Sequence, residues 1–347
     1  MIISNNTNLL FNTSIVFKRS LYKNNIKFSH VIGDYSLSTE GQNTTFYGTS
    51  SMLSAIGEFI ERVGITLGHY GLSEVIEGFD LNSGKKIKID KNLIYFTGKK
   101  KNDSCGLASH ITSELAIKNG FLEFVERQSL IEHCIFKIAG KKIESHIINE
   151  TSKKYIDFLK KFLDEILLFE ISIFEEVPVV LSLGFGKQQK AIGLSAAKDL
   201  DTAIENSLEE MLQTFSNVKN KREFDDSLKK TDTSDLDLYS QRYVDISPSD
   251  FKDYYSFLFK SDSLNHYKKR KELKTNELIK KFYEKNGIRL YCFKINNVFE
   301  YTNTKIIKIY SPDGYPYMLP DSENDKFNKP IYTNVNRVPD YTLIPFP

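Results

Sequence analysis

The sequence predicts a mixed α/β (α+β) fold. Three observations carry that expectation. Apolar residues recur every three or four positions in the segments around 50–67, 112–138 and 199–218, which is helical spacing. Between and after them lie short apolar runs punctuated by Pro and Gly, which is how strands are bounded. The chain has 347 residues and is 40% hydrophobic, enough to bury a sizeable core without disulfide or metal staples.

Taken in order, residues 1–46 are polar and mixed and read as an irregular N-terminal segment, despite short β-like pieces such as SIVFKR and FSHVIG. Leu53, Ile56, Phe59, Ile60 and Val63 then mark a first helix over Ser50 to Leu67. The runs KKIKID and NLIYFTG suit short strands, and Gly98 opens a Lys/Asn/Asp loop. A second helix runs from Thr112 to about Ile138, with Ala116, Ile117, Phe121, Leu122, Val125, Leu130 and Ile131 inward, and a third covers Ser152 to Leu163. EILLFEISIF, PVVLSLGFG and AIGLSAA read as adjacent strands.

DLDTAIENSLEEMLQTFSNV is the clearest helix, capped by Asp199 or Asp201. Residues 218–236 read as a mobile charged loop, followed by a Lys-rich helix near Tyr267 to Asn286 and the strands IRLYCFKI and TKIIKIYS. Residues 318–347 are proline-rich and read as an extended tail. The whole is expected to form a single catalytic domain over 1–347.

Lys plus Arg (47) nearly balances Asp plus Glu (45), so a net charge of +2 gives no electrostatic case for nucleic acid or an anionic membrane. Cys105, Cys134 and Cys292 are odd in number and far apart, which speaks against a disulfide framework or zinc ribbon and for a reducing cytosol. No segment reaches the roughly 18 consecutive apolar residues of a membrane span. Cys105 with His110 nearby invites a nucleophile reading, against the default of a small buried thiol. Cys134 reads as core and His133 as surface.

The chemistry concentrates in a repeated pattern. Glu-Phe-x-Glu-Arg occurs at residues 58–62 and again at 123–127. Positions i, i+3 and i+4 share a helix face, so Ser54, Glu58 and Glu61 form one row with Arg62 beside them, and Asn119, Glu123 and Glu126 repeat it beside Arg127. Glu210 and Gln213, again three apart, add a third pair on the helix after 199, with Glu209 one step round. One such face alone is a solvated surface. Three that converge would force carboxylates together and call for cations, and Mg2+ with phosphate oxygens is the simplest remedy. Yet no phosphate-binding G-x-x-x-x-G-K-[ST] loop occurs anywhere.

SAIGEFIER, DSCGLASHITSELAIKNGFLEFVERQSL and GLSAAKDLDTAIENSLEEMLQ resemble, in order and spacing, the three signature segments of the YcaO family across residues 47–217. The terminal Pro-Phe-Pro resembles the end of its microcin-type thiazole/oxazole synthetase members. The resemblance implies a YcaO-type fold and an ATP-dependent cyclodehydratase, in which a substrate Cys, Ser or Thr attacks the preceding amide and ATP activates the amide oxygen to leave as phosphate.

Carried over by motif, Glu58, Glu61, Glu123, Glu126 and Glu210 would hold Mg2+ and nucleotide. Ser54, Arg62, Arg127 and Gln213 would touch nucleotide or phosphate, and Pro345, Phe346 and Pro347 would order the catalytic centre. Arg242 or Arg289 is expected to complete the phosphate site. Ile111 stands where relatives carry an Asn that helps bind metal or nucleotide, and Leu343 where the first proline of the tail would be.

The implied partners are a precursor peptide, an E1-like leader-peptide-binding protein and an FMN-dependent dehydrogenase, in a hetero-oligomer. Two other outcomes stay open: a YcaO enzyme forming a thioamide or macroamidine, and a non-catalytic nucleotide- or peptide-binding scaffold.

Overall fold

The computed structural model describes residues 22–32, 35–46, 48–224, 238–267, 273–299 and 302–347. Two five-stranded sheets and seven α-helices make up the described chain, with a separate hairpin at its start. The hairpin pairs β1 (Tyr22–Ile32) with β2 (Tyr35–Thr45) in unbroken antiparallel register, Tyr22 opposite Thr45 and Ile32 opposite Tyr35. The expectation of an irregular 1–46 is therefore corrected for 22–45, while 1–21 lies outside the described residues. β1 does alternate at Ile26, Phe28 and Ile32, but β2 is mostly Ser, Thr, Gly, Gln and Asn, so the pairing carried no matching apolar pattern on both strands.

The first sheet runs β4-β3-β11-β12-β5, all antiparallel, from β3 (Val75–Asp80), β4 (Lys86–Asp90), β5 (Leu107–His110), β11 (Tyr291–Ile295) and β12 (Lys305–Tyr310). β3 went unread because Gly78 interrupts its pattern; the ring of Phe293 fills the space a Cβ there would need. The expected strand NLIYFTG is instead a 3-10 turn, Lys91–Leu93, with Ile94 and Tyr95 buried behind it. Asp90 starts that turn by accepting from the Asn92 amide at 2.9 Å, a local bond that outcompetes a strand.

Helices α1 (Gly48–Leu67) and α2 (Ser113–Ile135) take opposite faces of this sheet. Successive residues of a strand point to opposite faces. On β12, Ile306 meets α1 at Gly64, whereas the next residue, Ile307, meets α2 at Gly120.

The second sheet runs β10-β6-β7-β8-β9, from β6 (Lys141–Ile143), β7 (Glu165–Glu170), β8 (Val179–Phe185), β9 (Lys190–Ala196) and β10 (Asp262–Leu264). The adjacency of β7, β8 and β9 expected from their apolar runs is observed, antiparallel throughout. Both β8 and β9 are buried along their whole length. α2 covers one face of this sheet, sharing a core with Leu181, Leu183, Ile192 and Leu194. α3 (Glu150–Leu159) and α4 (Leu200–Phe224) cover the other with Val180, Ala191 and Met211.

α2 thus lies between the two sheets, which is why its buried positions run almost all round from Gln128 to Ile135. It ends earlier than its apolar pattern suggests, because Lys137 turns into the left-handed region at φ 48°. His133, expected on the surface, is buried and donates from Nδ1 to the Ser129 carbonyl at 2.9 Å.

α4 is opened by Asp199, whose Oδ1 accepts from the Thr202 amide at 2.8 Å, and extends to Phe224, so 218–224 is helix rather than loop. The remainder of the expected mobile loop, 225–236, lies outside the described residues. α5 (Leu238–Asp245) and α6 (Pro248–Tyr254) follow, and the Lys-rich helix is α7 (Thr275–Asn286). Beyond β12 the chain winds over α2 without further strand or α-helix, apart from a 3-10 turn at Asp325–Phe327. Among the described residues no helix is long and apolar enough to cross a membrane.

Candidate active site

Both sheets end on a strand with a free edge, β5 in one and β9 in the other. Edge amides are unpaired donors that a folded protein must satisfy. Here carboxylates satisfy them. Glu61 Oε1 accepts from the Ser109 amide of β5 at 2.6 Å. Glu126 Oε2 accepts from Ala196 of β9 at 2.9 Å, and Glu210 Oε2 accepts from Leu194 of β9 at 2.7 Å. Glu58 Oε2 accepts from Gln42 of β2 at 2.6 Å. Each glutamate is thereby oriented by a backbone donor on one oxygen.

These side chains line one cleft of about 510 Å3, together with Arg62, Glu123, Arg127, Asn119 and Asn206. That volume is in the range of small-molecule sites. α1 supplies Glu58, Glu61 and Arg62, α2 supplies Asn119, Glu123, Glu126 and Arg127, and α4 supplies Asn206 and Glu210. α1 and α2 sit on opposite faces of the first sheet yet reach the same cleft, because β5 is its last strand and both helices extend round that edge.

Five carboxyl groups face two guanidinium groups, an excess of three negative charges if all ionise. Burial pushes the Glu61 carboxyl up to about 7, against the lowering effect of its hydrogen bonds with Ser109. Burial likewise raises Glu123 well above the carboxylate range, with Arg127 opposing and Glu126 and Glu61 reinforcing. Burial raises both Glu126 and Glu210 against the opposing charge of Arg127, with Glu210 adding to the rise at Glu126 and Glu58 to that at Glu210. Burial works against the charge on Arg127, but Glu126, Glu123 and Glu210 more than offset it and keep the guanidinium ionised. Arg62 pairs with Glu58 at 2.6 Å.

The donor set is hard oxygen, which suits Mg2+, and carboxylates held with raised pKa are what a cation-binding site shows before the cation neutralises it. No three His, Cys, Asp or Glu side chains among the described residues stand at a spacing that would cage one metal ion.

Of the motif residues expected to touch nucleotide, Ser54 and Gln213 fall outside the cleft lining. Ser54 is exposed on the first turns of α1. Gln213 instead ties α4 to the hairpin, donating to the Gln42 carbonyl at 3.3 Å and accepting from Asn43 at 3.5 Å. Nor do Arg242 and Arg289 line it; Arg289 forms a two-point pair with Asp313, at 2.8 Å for both contacts. Ile111 is 70% exposed and away from the lining, while Asn119 and Asn206 bring amides to it. Both asparagines precede a motif glutamate by four residues, a signal present in the sequence. Cys105 is buried and its thiol is pushed up by burial, which suits core rather than nucleophile.

The tail reaches the site from behind. Phe346 is fully buried, with its ring centroid 4.6 Å from Arg127 Cζ. Pro345 is held by the Tyr255 hydroxyl, which donates to its carbonyl at 3.2 Å. Arg127 Nη1 also lies 3.3 Å from Met318 Sδ, so both ends of the 318–346 stretch meet one guanidinium.

A family model described as YcaO cyclodehydratase, ATP- and Mg2+-binding, matches residues 72–309. The chain belongs to the YcaO family. The match begins after α1, so Glu58 and Glu61 are placed in the cleft by the tertiary structure alone.

The YcaO fold is equally plain in solved structures. A chain of the E. coli microcin synthetase McbBCD complex with pro-MccB17 bound matches with TM-score 0.71 at 20% identity, covering 97% of this chain and 96% of that one. YcaO from Methanopyrus kandleri bound with AMPPCP and Mg2+ matches with TM-score 0.65 at 16% identity, over 85% and 84%. A heterocyclase in complex with substrate and cofactor matches with TM-score 0.63 at 13% identity, over 86% of this chain and 48% of that one. No curated protein matches the chain.

Proposed function

We propose that the chain is the ATP-dependent cyclodehydratase subunit of a synthetase that converts Cys, Ser or Thr residues of a ribosomal precursor peptide to thiazoline or oxazoline. The observation that carries this reading is the convergence of Glu58, Glu61, Glu123, Glu126 and Glu210 from three helices on one cleft with two arginines. Family membership and the fold shared with a chain of a microcin synthetase complex support it.

When bound, ATP with Mg2+ supplies the phosphoryl group that lets the attacked amide oxygen depart as phosphate. The remaining work belongs to side chains. Glu61, Glu126 and Glu210, each fixed by an edge-strand amide, offer a second oxygen to Mg2+ without reorganising. Glu123, whose carboxyl burial raises, would add a further oxygen to that set. Arg127, packed between Phe346 and Met318, would hold phosphate charge, and the more exposed Arg62, paired with Glu58 here, could also meet it. Asn119 and Asn206 would offer amide donors to a nucleotide.

Precursor delivery falls to an E1-like leader-binding partner and azoline oxidation to an FMN-dependent dehydrogenase in a cytoplasmic hetero-oligomer. The neighbour, a synthetase complex with pro-MccB17 bound, supports a multi-subunit complex that takes a precursor peptide. The test mixes purified chain, partner and precursor with Mg2+ and ATP. The expected result is loss of one water per ring with release of phosphate. A product in which sulfur replaces oxygen, or no turnover at all, overturns the reading.

A further inference from the structure

Gln128 and Glu132 are polar side chains of α2 that are fully buried and do not line the cleft. Glu132 collects five hydrogen bonds. Its Oε1 accepts from the Tyr332 amide at 3.0 Å, the Thr333 amide at 2.7 Å and the Thr333 hydroxyl at 2.8 Å. Its Oε2 accepts from the Ile331 amide at 2.9 Å and the Tyr315 hydroxyl at 2.5 Å. Gln128 adds bonds with the Tyr315 amide at 2.7 Å, its carbonyl at 2.9 Å and the Tyr332 hydroxyl at 2.7 Å.

Attaching a coil to a helix does not call for a buried charge, since apolar packing does so at lower desolvation cost. A carboxylate saturated by three consecutive amides does something apolar contact does not: it admits one register of the chain. A slip of one residue at 331–333 would unpair donors deep in the core. Register here has a consequence fourteen residues on. Past Glu132 the tail is fixed at the end of α2, where the Asp340 amide donates to the Ile135 carbonyl at 2.7 Å, and it then turns back to lay Phe346 against Arg127. The latch and the guanidinium stand five residues apart on one helix.

We propose that Glu132 is a positioning residue for the cleft: by fixing the register of residues 331–333 it sets where Phe346 lies, and so how Arg127 is presented to phosphate. The catalytic consequence rests on the function proposed above; the coupling itself belongs to the free chain.

Hydrogen exchange on the full-length protein tests the coupling. Glu132→Gln is expected to speed exchange at residues 331–333 and also at the amides of Ile344 and Phe346. Faster exchange confined to 331–333 overturns the proposal. Thr333→Val, which removes one hydroxyl donor, carries the same test if the glutamine variant fails to fold.

With the reconstituted complex, Glu132→Gln is expected to lower kcat on the order of 10-fold with KM for ATP little changed, as misplacement of a catalytic group does. The double variant Glu132→Gln/Phe346→Ala should be no slower than Phe346→Ala alone. Losses that add overturn the proposal. If the wild-type complex turns over no ATP, the functional reading fails while the exchange result still decides the coupling.

Discussion

The Arg127 guanidinium carbon lies 4.6 Å from the centroid of the Phe346 ring, so the penultimate residue of the sequence is packed against a cation that lines the cleft. A cation over an aromatic face, shielded from water, is worth about 2 kcal/mol. Here it is also a fixed direction for the guanidinium.

Replacing Phe346 by Leu keeps apolar volume and removes the ring face. The expected outcome is a fall in kcat of roughly 10-fold, the kinetic equivalent of losing about 1–2 kcal/mol of orientation. Phosphate release by the reconstituted complex reads it, with unchanged circular dichroism as the control.

Glutamine at Glu126 or Glu210 still accepts the edge-strand amide of Ala196 or Leu194, so the fold is expected to stand. What is lost is negative charge toward Mg2+. ATP turnover should fall by about 100-fold or more, the scale of removing one preorganised electrostatic contact in phosphoryl transfer. Turnover within a few-fold of wild type would remove these carboxylates from the site.

pH acts through the same groups. The folded-state pKa of Glu61, about 7, lies above its ordinary 4.5. The folded form therefore binds the proton more tightly, a stabilisation that is complete below about 4.5 and lost as pH rises through 7. Without ligand, Tm should decline from pH 5 to 8, and Glu61→Gln should flatten that slope. Mg2+ with an ATP analogue needs the ionised carboxyls, so the Tm increase it gives should grow over the same interval. A ligand-induced shift independent of pH would contradict the assignment.

Packing of α4 on β9 makes a prediction about stability. A Cβ at Gly193 would overlap the Ser207 carbonyl oxygen and approach the Met211 amide to 2.5 Å. Backbone cannot yield as a side-chain tip does, so Gly193→Ala is expected to cost about 3 kcal/mol, at the upper end for overpacking. Urea unfolding measures it. Because Leu194 and Ala196 would shift with β9, nucleotide affinity should fall as well.

Much of this protein was legible in its residues because the pattern and the outcome share a cause. The spacing of Leu53 to Val63 and of Ala203 to Phe215 is helical because burying one face requires it, and α1 and α4 form there. The Glu-Phe-x-Glu-Arg repeats could be read for the same reason: i, i+3 and i+4 share a face in any helix. The hairpin was missed because only β1, with Ile26, Phe28 and Ile32 alternating, carries a period-two signal while β2 is polar, and β3 was missed because Gly78 breaks its pattern. NLIYFTG misled because a buried turn and a strand have the same short apolar run.

By itself the sequence determined that α1, α2, α3, α4 and α7 exist, though not α5 and α6, and it determined which faces carry the carboxylates and arginines and which family motifs they spell. Only the tertiary structure decided that α1 and α2, on opposite faces of one sheet, meet round the edge strand β5. It alone aimed Glu61, Glu126 and Glu210 with the free amides of β5 and β9, left Ser54 and Gln213 outside the cleft, and returned Phe346 to Arg127. The physical reason is that local periodicity fixes a side chain's face on its own element, whereas an unpaired edge amide or a buried carboxylate finds its partner in a segment far away in sequence.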